Sequence, residues 1–218
     1  MKRILILAFG AVSAVSQATI FTFDIDQLGN GSALPQGYGD NVTSANMGTF
    51  HYEIANGTTP DILVSYAGSP GGQTDVNWWS TGYSDLTNVM EYEPDGAPVF
   101  SVTFTGTNGA NAVLNSFDLG NFGASVILPG LTVRNGSGTI LWQQTNIAVA
   151  SSSSPHLSFN VGGLSASVLT LEVNVAGLGG NSDNIGLDNI SFSQDSVPEP
   201  ISMLGLAAFG LIAARRRK

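Results

Sequence analysis

The chain contains no cysteine, which removes disulfides, thiolate nucleophiles and cysteine metal sites together. Between Thr19 and Ser196 it carries one basic side chain, Arg134, against fifteen acidic ones, a formal charge of −14. Such a surface repels phosphate backbones and anionic lipid, so nucleic acid is excluded as a partner, and neutral polysaccharide, divalent cations or a basic partner suit it better. The chain also lacks HExxH and GxSxG. Its two histidines, His51 and His156, stand far apart beside apolar strand patterns and read as packing or surface residues. No enzyme is expected.

Lys and Glu are scarce in this body, while Gly, Asn, Ser and Thr are abundant, a composition of strands and turns. Residues 19–25 alternate Ile20 and Thr22 against Phe21, Phe23 and Ile25, the period of a half-buried strand. Residues 98–105 repeat the pattern. Further strands are expected over 49–55, 61–67, 112–117, 125–133, 139–143, 157–161, 168–175 and 185–192, with turns at Asn135-Gly136 and Ser137-Gly138. Residues 26–46, 68–72 and 151–154 read as loops, as does the polar stretch around Trp78, Trp79 and Tyr83. About ten short strands and no helix within the body predict an all-β fold, an antiparallel β-sandwich of jelly-roll type spanning 19–196.

The two ends of the chain have a different character. Lys2 and Arg3 precede an apolar run from Ile4 to Val15, and Ser16-Gln17-Ala18 is a small-x-small site, the layout of a secretory signal peptide over 1–18 read by the Sec machinery. At the other end, Pro198 and Pro200 flank Glu199 in a stiff, sheet-incompatible spacer. A fourteen-residue charge-free run, Ile201 to Ala214, follows. As a helix it would span roughly 21 Å, short of a hydrocarbon core of about 30 Å. Arg215, Arg216, Arg217 and Lys218 then hold the end on the cytoplasmic side of the inner membrane.

This tail over 197–218 resembles the PEP-CTERM sorting signal of Gram-negative bacteria that make exopolysaccharide, with Pro198, Glu199 and Pro200 intact. The resemblance implies recognition by an exosortase, cleavage near the motif, and transfer of the body to the cell surface or extracellular matrix. The patterns FTFDID, LPQGYGDN, NSFDLGNF and IGLDNISF resemble the carbohydrate-binding jelly-roll body of PEP-CTERM proteins.

Three constellations could carry chemistry. Asp24 and Asp26 on the first strand, with Asp183 and Asp188 near the last, offer the oxygen ligands a calcium ion takes. The resemblance narrows the set to Asp24 with Asp188, aided by carbonyls near Gly37 and Tyr38. The alternative is that Asp188 and Asn189 bond backbone groups at a strand end. Trp78, Trp79 and Tyr83 could present an aromatic platform to a sugar ring, or cover the edge of the core. Glu91, Glu93 and Asp95 are the carboxylates a glycoside hydrolase would need, although EYEPDG also reads as a strand entering a turn. The expected function is an exported, exopolysaccharide-associated matrix protein; the alternatives are a structural protein without a specific ligand and a polysaccharide-active enzyme.

Overall fold

The computed structural model describes residues 18–55, 57–68, 76–92 and 98–196. The sorting motif, the apolar run and the basic end lie outside these, as does the signal peptide except Ala18. In chain order the strands are β1 (Ala18–Phe21), β2 (Ser32–Ala33), β3 (Asn46–Met47), β4 (Phe50–His51), β5 (Glu53–Ile54), β6 (Ile62–Ala67), β7 (Val76–Tyr83) and β8 (Leu86–Tyr92). They continue as β9 (Val99–Gly106), β10 (Ala110–Asn121), β11 (Val126–Asn135), β12 (Ile140–Val149), β13 (Leu157–Ala166), β14 (Val168–Asn174) and β15 (Ile185–Ser196). A short 3-10 turn, Gly179–Asn184, precedes β15.

Two antiparallel sheets face one another, as the composition predicts. One runs β13-β10-β15-β8-β7-β2, with β1 also paired to β15 and β5; the other runs β12-β11-β14-β9-β6. The strands alternate because each buries one face: β9 is buried at Phe100, Val102 and Phe104, and β14 at Leu169, Leu171 and Val173. Phe21 on β1 occupies the middle of the core. Its ring lies 4.6 Å from Phe192 of β15 and 6.0 Å from Phe104 of the opposite sheet, so aromatic packing ties both layers to the first strand.

Tyr38 and Tyr52 extend this cluster, stacked at 4.9 Å. Their hydroxyls stay paired: Tyr38 donates to the His51 carbonyl at 2.9 Å, and Tyr52 accepts the Gly39 N–H at 2.9 Å. Burial pushes the Tyr52 phenol up to about 12, so it remains neutral at any physiological pH.

One expectation is corrected. The stretch holding the two adjacent tryptophans is not a loop but strand β7, hairpinned onto β8 with Trp78 opposite Met90 and Trp79 opposite Val89. Its Asn, Ser, Thr and Gly content imitates a loop, but pairing with β8 on one side and β2 on the other, and core burial of Val76 and Trp78 on one face, override that preference.

Candidate functional site

The hairpin places the adjacent tryptophans on opposite faces of the sheet, as a pleated strand must. Trp78 turns inward, 7 % exposed, and its indole Nε1 donates to the Phe23 carbonyl at 2.7 Å. Trp79 turns outward onto a smaller cluster with Tyr83, Leu86 and Val89. There it meets Phe122, at the turn leaving β10, edge-on with ring centroids 6.0 Å apart. Tyr83 lies 5.4 Å from the same ring and donates its hydroxyl to the Asp183 carbonyl at 2.7 Å.

These rings wall a cleft of about 100 Å³ that Glu91, Asp183 and Asn184 complete. Each wall is fixed by local backbone chemistry. Gly82 holds φ +101°, and a Cβ there would meet the Phe122 ring at 2.5 Å, so the ring rests on the bare backbone of β7. Asn121 is fully buried; its amide donates to the Ala124 and Ala150 carbonyls and its oxygen accepts the Gly123 N–H, which sets the turn presenting Phe122. The Phe122 N–H in turn donates to the Asn184 carbonyl at 2.8 Å, joining that turn to the 3-10 segment.

The cleft is polar at its base and apolar at its lip. Phe122 is 44 % exposed. Asp183 Oδ1 is buried and accepts no hydrogen bond from the described residues. A buried carboxylate oxygen without a donor is costly, on the order of 1–3 kcal/mol or more, and a hydroxyl entering the cleft would supply that donor.

Of the aspartates expected to hold calcium, Asp24 follows β1 and Asp188 lies on β15, the strand with which β1 pairs. Asp24 is exposed and its carbonyl accepts the His51 N–H, while Asp188 is buried on β15, directly across from Asp118 of β10. The Gly37 and Tyr38 carbonyls accept from Asp40 N–H and Tyr66 Oη. Among the described residues no three Asp, Glu or His side chains converge. Asp188 Oδ1 accepts the Asn189 N–H at 2.7 Å, and burial, with Asp118 opposite, pushes its carboxyl up to about 8. Asp118 is itself held by the Asn189 amide at 2.9 Å and by His156 Nε2 at 3.5 Å. His156 also bonds Asp85 at 2.8 Å, which holds the Asp85 carboxyl below the usual range.

Of the carboxylates expected for a hydrolase, Glu91 is buried and lines the cleft, while Glu93 and Asp95 lie outside the described residues. Phe122 and Asn184 escape a reading of the sequence alone. Phe122 closes the NSFDLGNF pattern, but nothing in that run announces that it will meet Trp79, more than forty residues earlier.

Residues 196–218 match the PEP-CTERM protein-sorting motif. The chain thus joins an all-β body to a sorting tail that implies export and exosortase processing. No curated protein matches the sequence. Among solved structures, one described as GH31 CBM32-2 bound to GalNAc is 16 % identical, with a TM-score of 0.34, covering 63 % of this chain and 98 % of its own. Another, a carbohydrate binding module of family 29, is 14 % identical with a TM-score of 0.27, covering 64 % and 97 %. At those scores the likeness carries no argument about what this chain binds.

Proposed function

We propose that this protein is a non-catalytic component of the cell surface or extracellular matrix of a Gram-negative bacterium, attached to exopolysaccharide through the Trp79–Phe122 cleft. The observation that carries the reading is the combination in one cleft of exposed aromatic surface with a buried, donor-less Asp183 Oδ1. Pyranose rings have an apolar C–H face that packs on aromatics, and hydroxyls that donate to carboxylates and amides. The acidic body favours a neutral glycan over an anionic one. Trp78, buried and hydrogen-bonded, serves the fold in this reading and not the ligand.

Calorimetric titration with neutral saccharide fragments tests it. Trp79→Ala and Phe122→Ala each weaken binding about tenfold, a loss of about 1.4 kcal/mol, and Asp183→Asn weakens it without changing the fold. Equal affinity across the three variants would overturn the reading. Because Glu91 and Asp183 both line the cleft, a glycoside hydrolase is the second reading; accumulation of reducing ends during the same titration would favour it.

A further inference from the structure

The strand pair β10–β15 gives the body two ends of different character. At one end Ala110 pairs with Ser196; at the other Asn121 pairs with Ile185. From Ala110 to Asn121 the strand rises roughly 35 Å. The cleft belongs to the second end. Phe122 follows Asn121 directly, Asn184 precedes Ile185, and the Ser84 N–H, next to Tyr83, donates to the Asn121 carbonyl at 3.0 Å. The sorting tail belongs to the first end. It leaves β15 at Ser196, and the expected signal peptide joins β1 at Ala18, opposite Ser193 of the same strand. Both segments read as membrane-inserting therefore attach to the sandwich at the end remote from the cleft.

That end is pinned. The Asp61 N–H donates to Gln194 Oε1 at 2.8 Å, Gln194 Nε2 donates back to Asp61 Oδ2 at 3.0 Å, and Asn108 Nδ2 donates to Asp61 Oδ1 at 2.9 Å. These bonds hold β15 to within two residues of Ser196, so the tail starts from a fixed point and not from a fraying strand. From Ser196 to Ile201, where the charge-free run begins, the chain can reach at most about 18 Å. Pro198 and Pro200 stiffen this spacer. A body of formal charge −14 is repelled by anionic lipid, which works against its lying flat on a bilayer. The short spacer keeps the pinned end close to the membrane, and repulsion turns the long axis outward with the cleft leading.

We propose that the membrane-bound precursor works as a tether before its tail is cut: the cleft holds exopolysaccharide while the tail holds the bilayer, so polymer capture precedes sorting and cleavage releases a loaded body. This adds a membrane-side function to that of the released matrix protein. It rests on the saccharide reading of the cleft and on the passage of the tail through the membrane.

The test uses the full-length chain in vesicles of phosphatidylethanolamine and phosphatidylglycerol, floated on a density gradient with labelled exopolysaccharide of the producing organism. Wild type is expected to carry the polymer into the vesicle fraction with an affinity within about twofold of that of the detergent-solubilised chain, and Phe122→Ala to weaken this about tenfold. Orientation is read separately, without saccharide. The absence of cysteine allows single donor dyes at two exposed positions: Asp195→Cys, beside the tail, and Ser153→Cys, in the loop whose Ser152 N–H bonds the Gly123 carbonyl next to Phe122. Energy transfer to an acceptor-labelled lipid should be several-fold more efficient from the first than from the second. A detergent-solubilised chain that binds polymer while the vesicle-held chain does not would overturn the tether alone; loss of binding in both would overturn the cleft reading and the tether with it. Equal transfer from the two dyes, or a chain that does not itself float with the vesicles, would also overturn the proposal.

Discussion

At the scale of single residues, Asp188 sets a pH dependence. Its carboxyl stands at about 8 in the fold against an ordinary 3.8, so the folded state keeps a proton that the unfolded chain releases. The groups facing it are Asp118 across the strand pair, the Asn189 N–H and the Tyr38 phenol, while His156 bonds Asp118 and Asp85. A raised folded value means the contribution is complete below pH about 4 and declines as pH rises toward 8. Asp188→Asn, neutral at every pH, is expected to match the wild type in thermal melts at pH 4.5 and to exceed it by several degrees at pH 8, at roughly 2–4 °C per kcal/mol for a chain of this size. A calcium ion held at Asp188 would reverse this, and the substitution would then lower the melting temperature and abolish any effect of chelator. Trp78→Ala makes the complementary case, removing a buried indole and its bond to the Phe23 carbonyl, at an expected cost of about 3–5 kcal/mol in denaturant unfolding.

At the scale of elements, the site depends on how two strands meet a turn. Phe122 rests on Gly82 because the β7 backbone there is both left-handed and bare. Gly82→Ala should therefore displace the ring and weaken saccharide binding while leaving the core intact, since Gly82 faces the cleft and not the interior; unchanged affinity would show the ring can settle elsewhere. Edge protection belongs to this scale too. Gln36→Ala frees both backbone groups of Tyr66, with an expected loss of about 1–2 kcal/mol and faster amide exchange at Tyr66. The strands that alternate most cleanly, such as β9 with Phe100, Val102 and Phe104, could be read from their residues, because one buried face dictates a period of two. The hairpin β7–β8 could not. In β8 the run Val89-Met90-Glu91-Tyr92 is buried throughout, since the core covers Met90 and Tyr92 while the Trp79 cluster covers Val89, and double burial erases the alternation.

At the scale of the whole molecule, charge and sorting agree. An acidic, cysteine-free sandwich is suited to an exported life beside neutral glycan, stabilised by a continuous aromatic and aliphatic core and not by disulfides. The sandwich architecture and the export tail were legible in the sequence because each is a pattern within a short window. The cleft was only half legible. Adjacent tryptophans must diverge on a strand, but which one faces out, and that Phe122 and Asp183 join it, follows from long-range pairing that no local pattern encodes.

Co-sedimentation with the producing organism's own exopolysaccharide tests the central claim most directly, with wild type and Phe122→Ala each run in calcium and in excess chelator. The wild type is predicted to pellet with the polymer in both conditions and Phe122→Ala to remain in the supernatant. A wild type that stays soluble, or a Phe122→Ala variant that pellets as fully, would contradict it.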